Sequence, residues 1–162
     1  FVFYGLLNGY DVYGIDPEKW KHEFNFMKIN ENGYPVEWMD NFTEGYGELL
    51  PYKSEFFDFV STYQTLEHVN DIKKCLSEMV RVTCDSGVIH IKCPDYRGSF
   101  EGHYQLPWIP LLPRVVAKLY LRMLGRKTEF LDTINYTTKR SIVKTLREVS
   151  HELNVNIYFT LV

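Results

Sequence analysis

An α/β fold built on a Rossmann-like, doubly wound and mostly parallel sheet is what the sequence predicts, and three observations carry that expectation. Short apolar runs bounded by turn residues recur, the clearest being 56–60 and 88–91. Apolar residues also fall at helical spacing, with Ile72, Cys75, Leu76, Met79 and Val80 on one face and Ile142, Val143, Leu146 and Val149 on another. The two patterns alternate along the chain, as they do when helices cover both faces of a parallel sheet.

Taken in order, Phe1 to Asn8 reads as a short apolar helix, with Gly9 where a C-cap is needed. Residues 10–15 read as a buried strand closed by Asp16-Pro17. Pro17 suits the first turn of the next helix, where its missing N–H would be unpaired anyway. The stretch 18–45 carries little pattern: Trp20, Phe24, Phe26 and Met27 indicate a helix or loop that packs, Asn30 to Pro35 is a turn cluster, and no strand is placed. Asn70-Asp71 caps the helix of Ile72 to Val80. Asp85-Ser86-Gly87 is a turn before the strand that Cys93-Pro94 closes. Sheet rhythm stops from 95 to about 137; a helix then starts at Thr138, and 155–162 is a β-rich run.

With 162 residues, 45% hydrophobic and 24% charged, the chain suits one domain with a real core, spanning 1–162. Aromatic residues reach 16%, a surplus that suits a lined pocket or an interface. A net charge of −3 gives no footprint for a nucleic-acid partner. Cys75, Cys84 and Cys93 form neither a disulfide framework nor a zinc pattern, and neither a signal peptide nor a bilayer-spanning run is visible, so the cytoplasm is the expected compartment. The chain starts at Phe1, without Met, inside what reads as a helix, as a fragment would.

In an open parallel sheet, ligands bind beyond the carboxyl ends of the strands. Asp16 sits at such an end, where a carboxylate can accept both hydroxyls of a ribose; a helix cap is its plainer role. The chain then presents Val12-Tyr-Gly-Ile-Asp16, Glu48-Leu-Leu-Pro-Tyr52, Phe57-Asp-Phe-Val60, Leu66-Glu-His-Val69, Arg81-Val82 and the run from Val88 to Pro94. Together, in this order, they resemble the class I S-adenosylmethionine-dependent methyltransferases of the small-molecule type. The resemblance covers residues 1–95 and implies S-adenosylmethionine as cofactor. Asp16 would bind its ribose, Tyr46, Gly47 and Glu48 would surround its adenine, and Thr62 and Tyr63 would flank its methionine part. It also implies that the first strand, its glycine-rich loop and the last strand of the family lie outside this chain, so that these residues alone would grip the cofactor weakly. Where relatives often carry an acid near the adenine amine, this chain has Tyr46.

In methyltransferases of the ubiquinone-biosynthesis type, E-x-x-E-H at this point holds a divalent metal. Here the segment is Gln64-Thr-Leu-Glu67-His68. One carboxylate and one imidazole make a poor site for a hard cation, so no metal is expected and His68 stands as a candidate catalytic side chain. Residues 95–137 form an insertion after the fifth strand of the family, an acceptor-side cover or lid. Within it His103 is the candidate general base, since an imidazole can take a hydroxyl proton near neutrality; its other reading is a surface histidine. Asp95, Tyr104 and Trp108 are candidate acceptor contacts. Residues 106–127 are apolar and basic, which suits a lid helix with a solvated face or a peripheral membrane contact.

The implied reaction is methylation, by preference at oxygen, of a small-molecule, glycan or lipid-linked acceptor. A nicotinamide-dependent oxidoreductase or epimerase would use Asp16 equally well, but no Tyr here has Lys four residues later, as short-chain reductases need. The other alternative is a non-catalytic binding module on the same fold.

Overall fold

The computed structural model describes residues 1–160, which form two compact units, Phe1–Pro51 and the chain from Tyr52 on. The first unit runs through helix α1 (Val2–Leu7), strand β1 (Gly14–Asp16), helix α2 (Lys19–Asn32), a 3-10 turn (Val36–Asn41) and strand β2 (Phe42–Glu44). After α1, Gly9 takes φ +78° and the Tyr10 N–H reaches the Gly5 carbonyl at 3.0 Å, a left-handed exit that costs a residue without Cβ little. β1 and β2 pair in parallel, Gly14 with Phe42 and Asp16 with Glu44, and α2 lies in the connection between them.

Three expectations need correction in this unit. The strand of 10–15 forms only over Gly14–Asp16. Pro17 precedes α2, whose N-cap is Glu18. A strand, β2, does occur within 18–45; three residues are too few to show a period, and parallel pairing with β1 holds them extended. Trp20, Phe24, Phe26 and Met27 lie on α2 yet remain 48 to 59% exposed, and Ile29 is its buried residue.

The second unit comprises β3 (Phe57–Tyr63), α3 (Ile72–Val82), β4 (Thr83–Lys92), a hairpin of β5 (Phe100–Glu101) and β6 (Leu106–Pro107), α4 (Arg114–Met123), a 3-10 turn (Glu129–Asp132) and α5 (Lys139–Leu153). β3 and β4 pair in parallel, Val60 with Ile89 and Tyr63 with Lys92. Phe57 faces Thr83 but Phe59 faces Val88, so the expected turn at 85–87 is an irregularity inside β4. Gly87 sits at its tightest point: a Cβ there would lie 2.6 Å from Thr83 Cγ2 and 2.9 Å from the Cys84 carbonyl oxygen.

Asp71 caps α3 by accepting the Lys74 N–H at 3.0 Å. Thr138 and Ser141 form a capping box on α5. Leu66, Cys75, Leu76, Met79, Ile142 and Leu146 close one core, against which Val60, Ile89 and Ile91 of the strands pack. A second core, with Tyr96, Trp108, Leu112, Leu121 and Ile134, lies wholly within 96–134. Residues 155–160 form no strand, lacking a paired strand among the described residues; 161 and 162 of that expected run lie outside the described residues.

Candidate functional site

In the first unit, the end of β1 delivers Asp16. Its Oδ1 accepts the Glu18 N–H at 3.0 Å and its Oδ2 the Lys21 ammonium at 2.7 Å. The Gly45 N–H reaches the Asp16 carbonyl at 3.1 Å, so the parallel register carries the segment 45–48 past this residue. There Tyr46 is exposed, Gly47 half-buried and Glu48 buried. A cleft of about 510 Å³ opens beside Asp16, with Gly14, Lys21, Phe42 and Thr43 in its wall. Each Asp16 oxygen keeps a second lone pair, so a vicinal diol can still be accepted there. Lys21 is a partner that the sequence reading misses, although a Lys one turn into the following helix is the signal for it.

In the second unit, β3 ends on half-buried Thr62 and exposed Tyr63, whose ring lies 4.9 Å from Lys92 Nζ. The chain then turns sharply: Gln64 has φ +52° and donates to the Lys92 carbonyl at 2.7 Å, and the His68 N–H closes onto Thr65 at 2.8 Å. This turn drives Leu66 and Glu67 fully inside and leaves His68 exposed. Among the described residues neither Glu67 carboxylate oxygen has a hydrogen-bond partner, with His68 Nε2 3.9 Å from Oε1. A buried carboxylate left without donors is costly, so the position calls for a partner.

The insertion supplies the neighbouring chemistry. His103 Nδ1 lies 2.8 Å from Oε1 of Glu101, which is 2% exposed. The Tyr104 N–H donates to Glu101 Oε2 at 2.6 Å, and the Tyr96 hydroxyl to Oε1 at 3.3 Å. An ionised carboxylate only accepts, so the contact with Glu101 suits the tautomer that donates from Nδ1 and leaves Nε2 as the accepting nitrogen. Burial, followed by the Glu101 charge, pushes the Tyr96 phenol far above its ordinary range. The His103 ring stands edge-on to His68 at 5.4 Å and lies 4.9 Å from Phe130.

Glu67, His68 and His103 each offer a ligand atom within 4.8 Å of the others, so the trio could hold a cation. The expectation of no metal considered Glu67 and His68 without this third residue, which the fold brings in from 35 positions further on. The remaining acceptor-side candidates divide. Tyr104 packs edge-on to Phe130 at 6.1 Å. Trp108, 4% exposed, fills the core of the insertion, because so large an apolar ring is worth most there. Asp95 pairs with Arg97 at 2.6 Å and accepts the Lys139 N–H at 3.3 Å.

Sequence reasoning also misses Glu101, Phe130 and Asn135. Asn135 donates its N–H to the Glu67 carbonyl at 2.6 Å and its side-chain amide to the Val69 carbonyl at 2.7 Å, fastening the insertion to the turn of Glu67 and His68. An acid two residues before a histidine was the available signal for Glu101; for the other two, which act across long stretches of sequence, there was none.

Comparison with known proteins adds the family. Among solved structures, a SAM-dependent methyltransferase from Thermotoga maritima is similar with a TM-score of 0.56 at 18% identity, over 85% of this chain and 53% of the other. The YcgJ protein from Bacillus subtilis gives 0.55 at 17% identity, over 85% and 50%. The [4+2]-cyclase SpnF gives 0.57 at 13% identity, over 89% and 45%. These likenesses establish the Rossmann-like α/β fold, and the chain spans about half the length of the structures it matches. That one of them is a cyclase means the fold alone does not fix the reaction. A family model described as a methyltransferase domain matches residues 2–91, from α1 into β4. With more than half of its length inside that match, this chain belongs to the methyltransferase-domain family.

Proposed function

We propose that the chain is part of an enzyme that methylates a hydroxyl oxygen of a small-molecule, glycan or lipid-linked acceptor, with S-adenosylmethionine as donor. The observation that carries this reading is His103 held by the buried carboxylate of Glu101 at 2.8 Å. An amine or thiol that is already a good nucleophile needs little beyond positioning. A hydroxyl needs its proton removed as it attacks, and a carboxylate-oriented imidazole is the side chain suited to that task.

When bound, the cofactor would supply an electrophilic methyl group on a sulfonium, with the thioether as leaving group. His103 Nε2 takes the acceptor proton, Glu101 stabilises the resulting imidazolium, and His68 and Tyr104 border the acceptor oxygen. By the family resemblance Asp16 would take the ribose hydroxyls, Tyr46, Gly47 and Glu48 would hold adenine, and Thr62 and Tyr63 would hold the methionine part. Asp95 and Trp108 support this side indirectly, through Arg97 and through the core of the insertion.

The test is steady-state methylation of an alcohol acceptor by the full-length enzyme. His103→Ala should lower kcat by about 10²- to 10⁴-fold, the usual range for a lost general base. Glu101→Gln should lower kcat with KM for S-adenosylmethionine unchanged and should alter the pH–rate profile, which a merely structural role would not do. Undiminished kcat in His103→Ala would remove the base. Absence of any calorimetric heat with S-adenosylhomocysteine would remove the methyltransferase reading itself.

A further inference from the structure

We propose that the outward face of α4, with the residues just after it, docks on an anionic lipid membrane. The helix is apolar on two sides. Ala117 and Leu121 are fully buried in the core of the insertion. On the other side Val115, Val116, Leu119 and Met123 are 82, 49, 59 and 78% exposed. At about 100° per residue these four share an arc of roughly 100°. Ile109 and Leu111 before the helix and Leu124 after it are exposed as well. A helix that packs on its own domain normally turns a largely polar side to water, whereas the exposed side of α4 combines this apolar arc with a narrow basic edge.

The charges around the arc select the occupant. Arg114 and Lys118 are engaged within the chain, the first with the carbonyls of Leu131 and Ile134 and the second with Asp132 at 2.7 Å. Arg122, at the edge of the arc, and Arg126 and Lys127 beyond it are exposed, with no ion-pair partner among the described residues. No Asp or Glu occurs between Glu101 and Glu129. This patch is thus basic on a chain whose net charge is −3. A second copy docked face to face would set these cations against one another. Anionic headgroups complement them, and the acyl boundary takes the apolar arc, the arrangement of helices that lie in the plane of an interface. No helix among the described residues is long and apolar enough to cross a membrane, so the contact is peripheral.

Vesicle sedimentation of the full chain tests this, with phosphatidylcholine vesicles containing about a third phosphatidylserine compared with phosphatidylcholine alone. The protein should pellet with the anionic vesicles and be released as salt rises. Replacing Arg122, Arg126 and Lys127 together by Gln should weaken binding on the order of a hundredfold, at about fivefold per charge. Leu119→Ser with Met123→Ser should weaken it independently. All five side chains are exposed, and an unchanged melting temperature confirms that each variant folds. The proposal is overturned if anionic vesicles pellet no protein, if both variants bind as before, or if the chain is a dimer that Leu119→Ser with Met123→Ser makes monomeric.

Discussion

Asp95 carries the strongest carboxylate perturbation among the described residues. The Arg97 side chain, followed by the N–H groups of Arg97 and Lys139, holds its carboxyl far below the usual range. A depressed carboxyl contributes stability that is present above its unfolded value, about 3.9, and is lost as pH falls through the folded value. Asp95→Asn keeps the turn-forming oxygen but loses the charge. Urea midpoints should therefore differ between the two proteins near neutral pH and converge as pH falls below about 4. A gap that does not shrink at all between about pH 4 and about pH 2 would show that Asp95 acts only through shape. At this scale the sequence was read unevenly. His103 stands out in the sequence because imidazole chemistry is rare enough to notice. Glu101 does not, because a carboxylate announces itself only once its burial and three donors are seen. Trp108 was placed toward the acceptor because an aromatic residue in a loop looks the same in sequence whether it faces a ligand or a core.

Among the elements, α3 and α5 were legible nearly to the residue. Each has a side-chain cap at its start and an apolar stripe at helical spacing, so local and tertiary preferences agree. Asp71→Ala should cost about 1 kcal/mol through the lost cap. Leu76→Ala, at a fully buried position, should cost about 2–5 kcal/mol. Urea titration monitored by circular dichroism measures both, and equal losses would mean that α3 is held by something other than its buried face. The elements that escaped notice are those whose conformation is imposed from elsewhere. β2 is three residues long, and the irregularity in β4 depends on the register with β3. α2 hid because its apolar residues do not gather on one face, and its largest ones remain exposed.

For the molecule as a whole, burial is distributed unequally. Of residues 1–51 only Gly5, Ile29 and Glu48 are buried, whereas α3 alone buries Cys75, Leu76, Met79 and Val82. Local stability follows apolar burial, so amide protons of α2 should exchange faster than those of α3 and α5 and lose protection at lower denaturant. Hydrogen exchange read by mass spectrometry reports this directly; equal protection in α2 and α3 would contradict it. Fold class and family could be read at this scale because the order of motifs from Val12 to Pro94 is long-range information, while the acceptor side could not. The insertion of 95–137 has a hydrophobic core of its own, and its two ends are clasped together. Thr137 Oγ1 donates to the Pro94 carbonyl at 2.7 Å, and the Tyr96 N–H to the Thr137 carbonyl at 2.9 Å. A segment that leaves and re-enters at one point can change length at little entropic expense, since closure grows only with the logarithm of the loop. Residues 95–137 are thus built as an exchangeable cassette: under the proposed function, trading this piece would change which molecule is modified, while β3 and β4 keep their register.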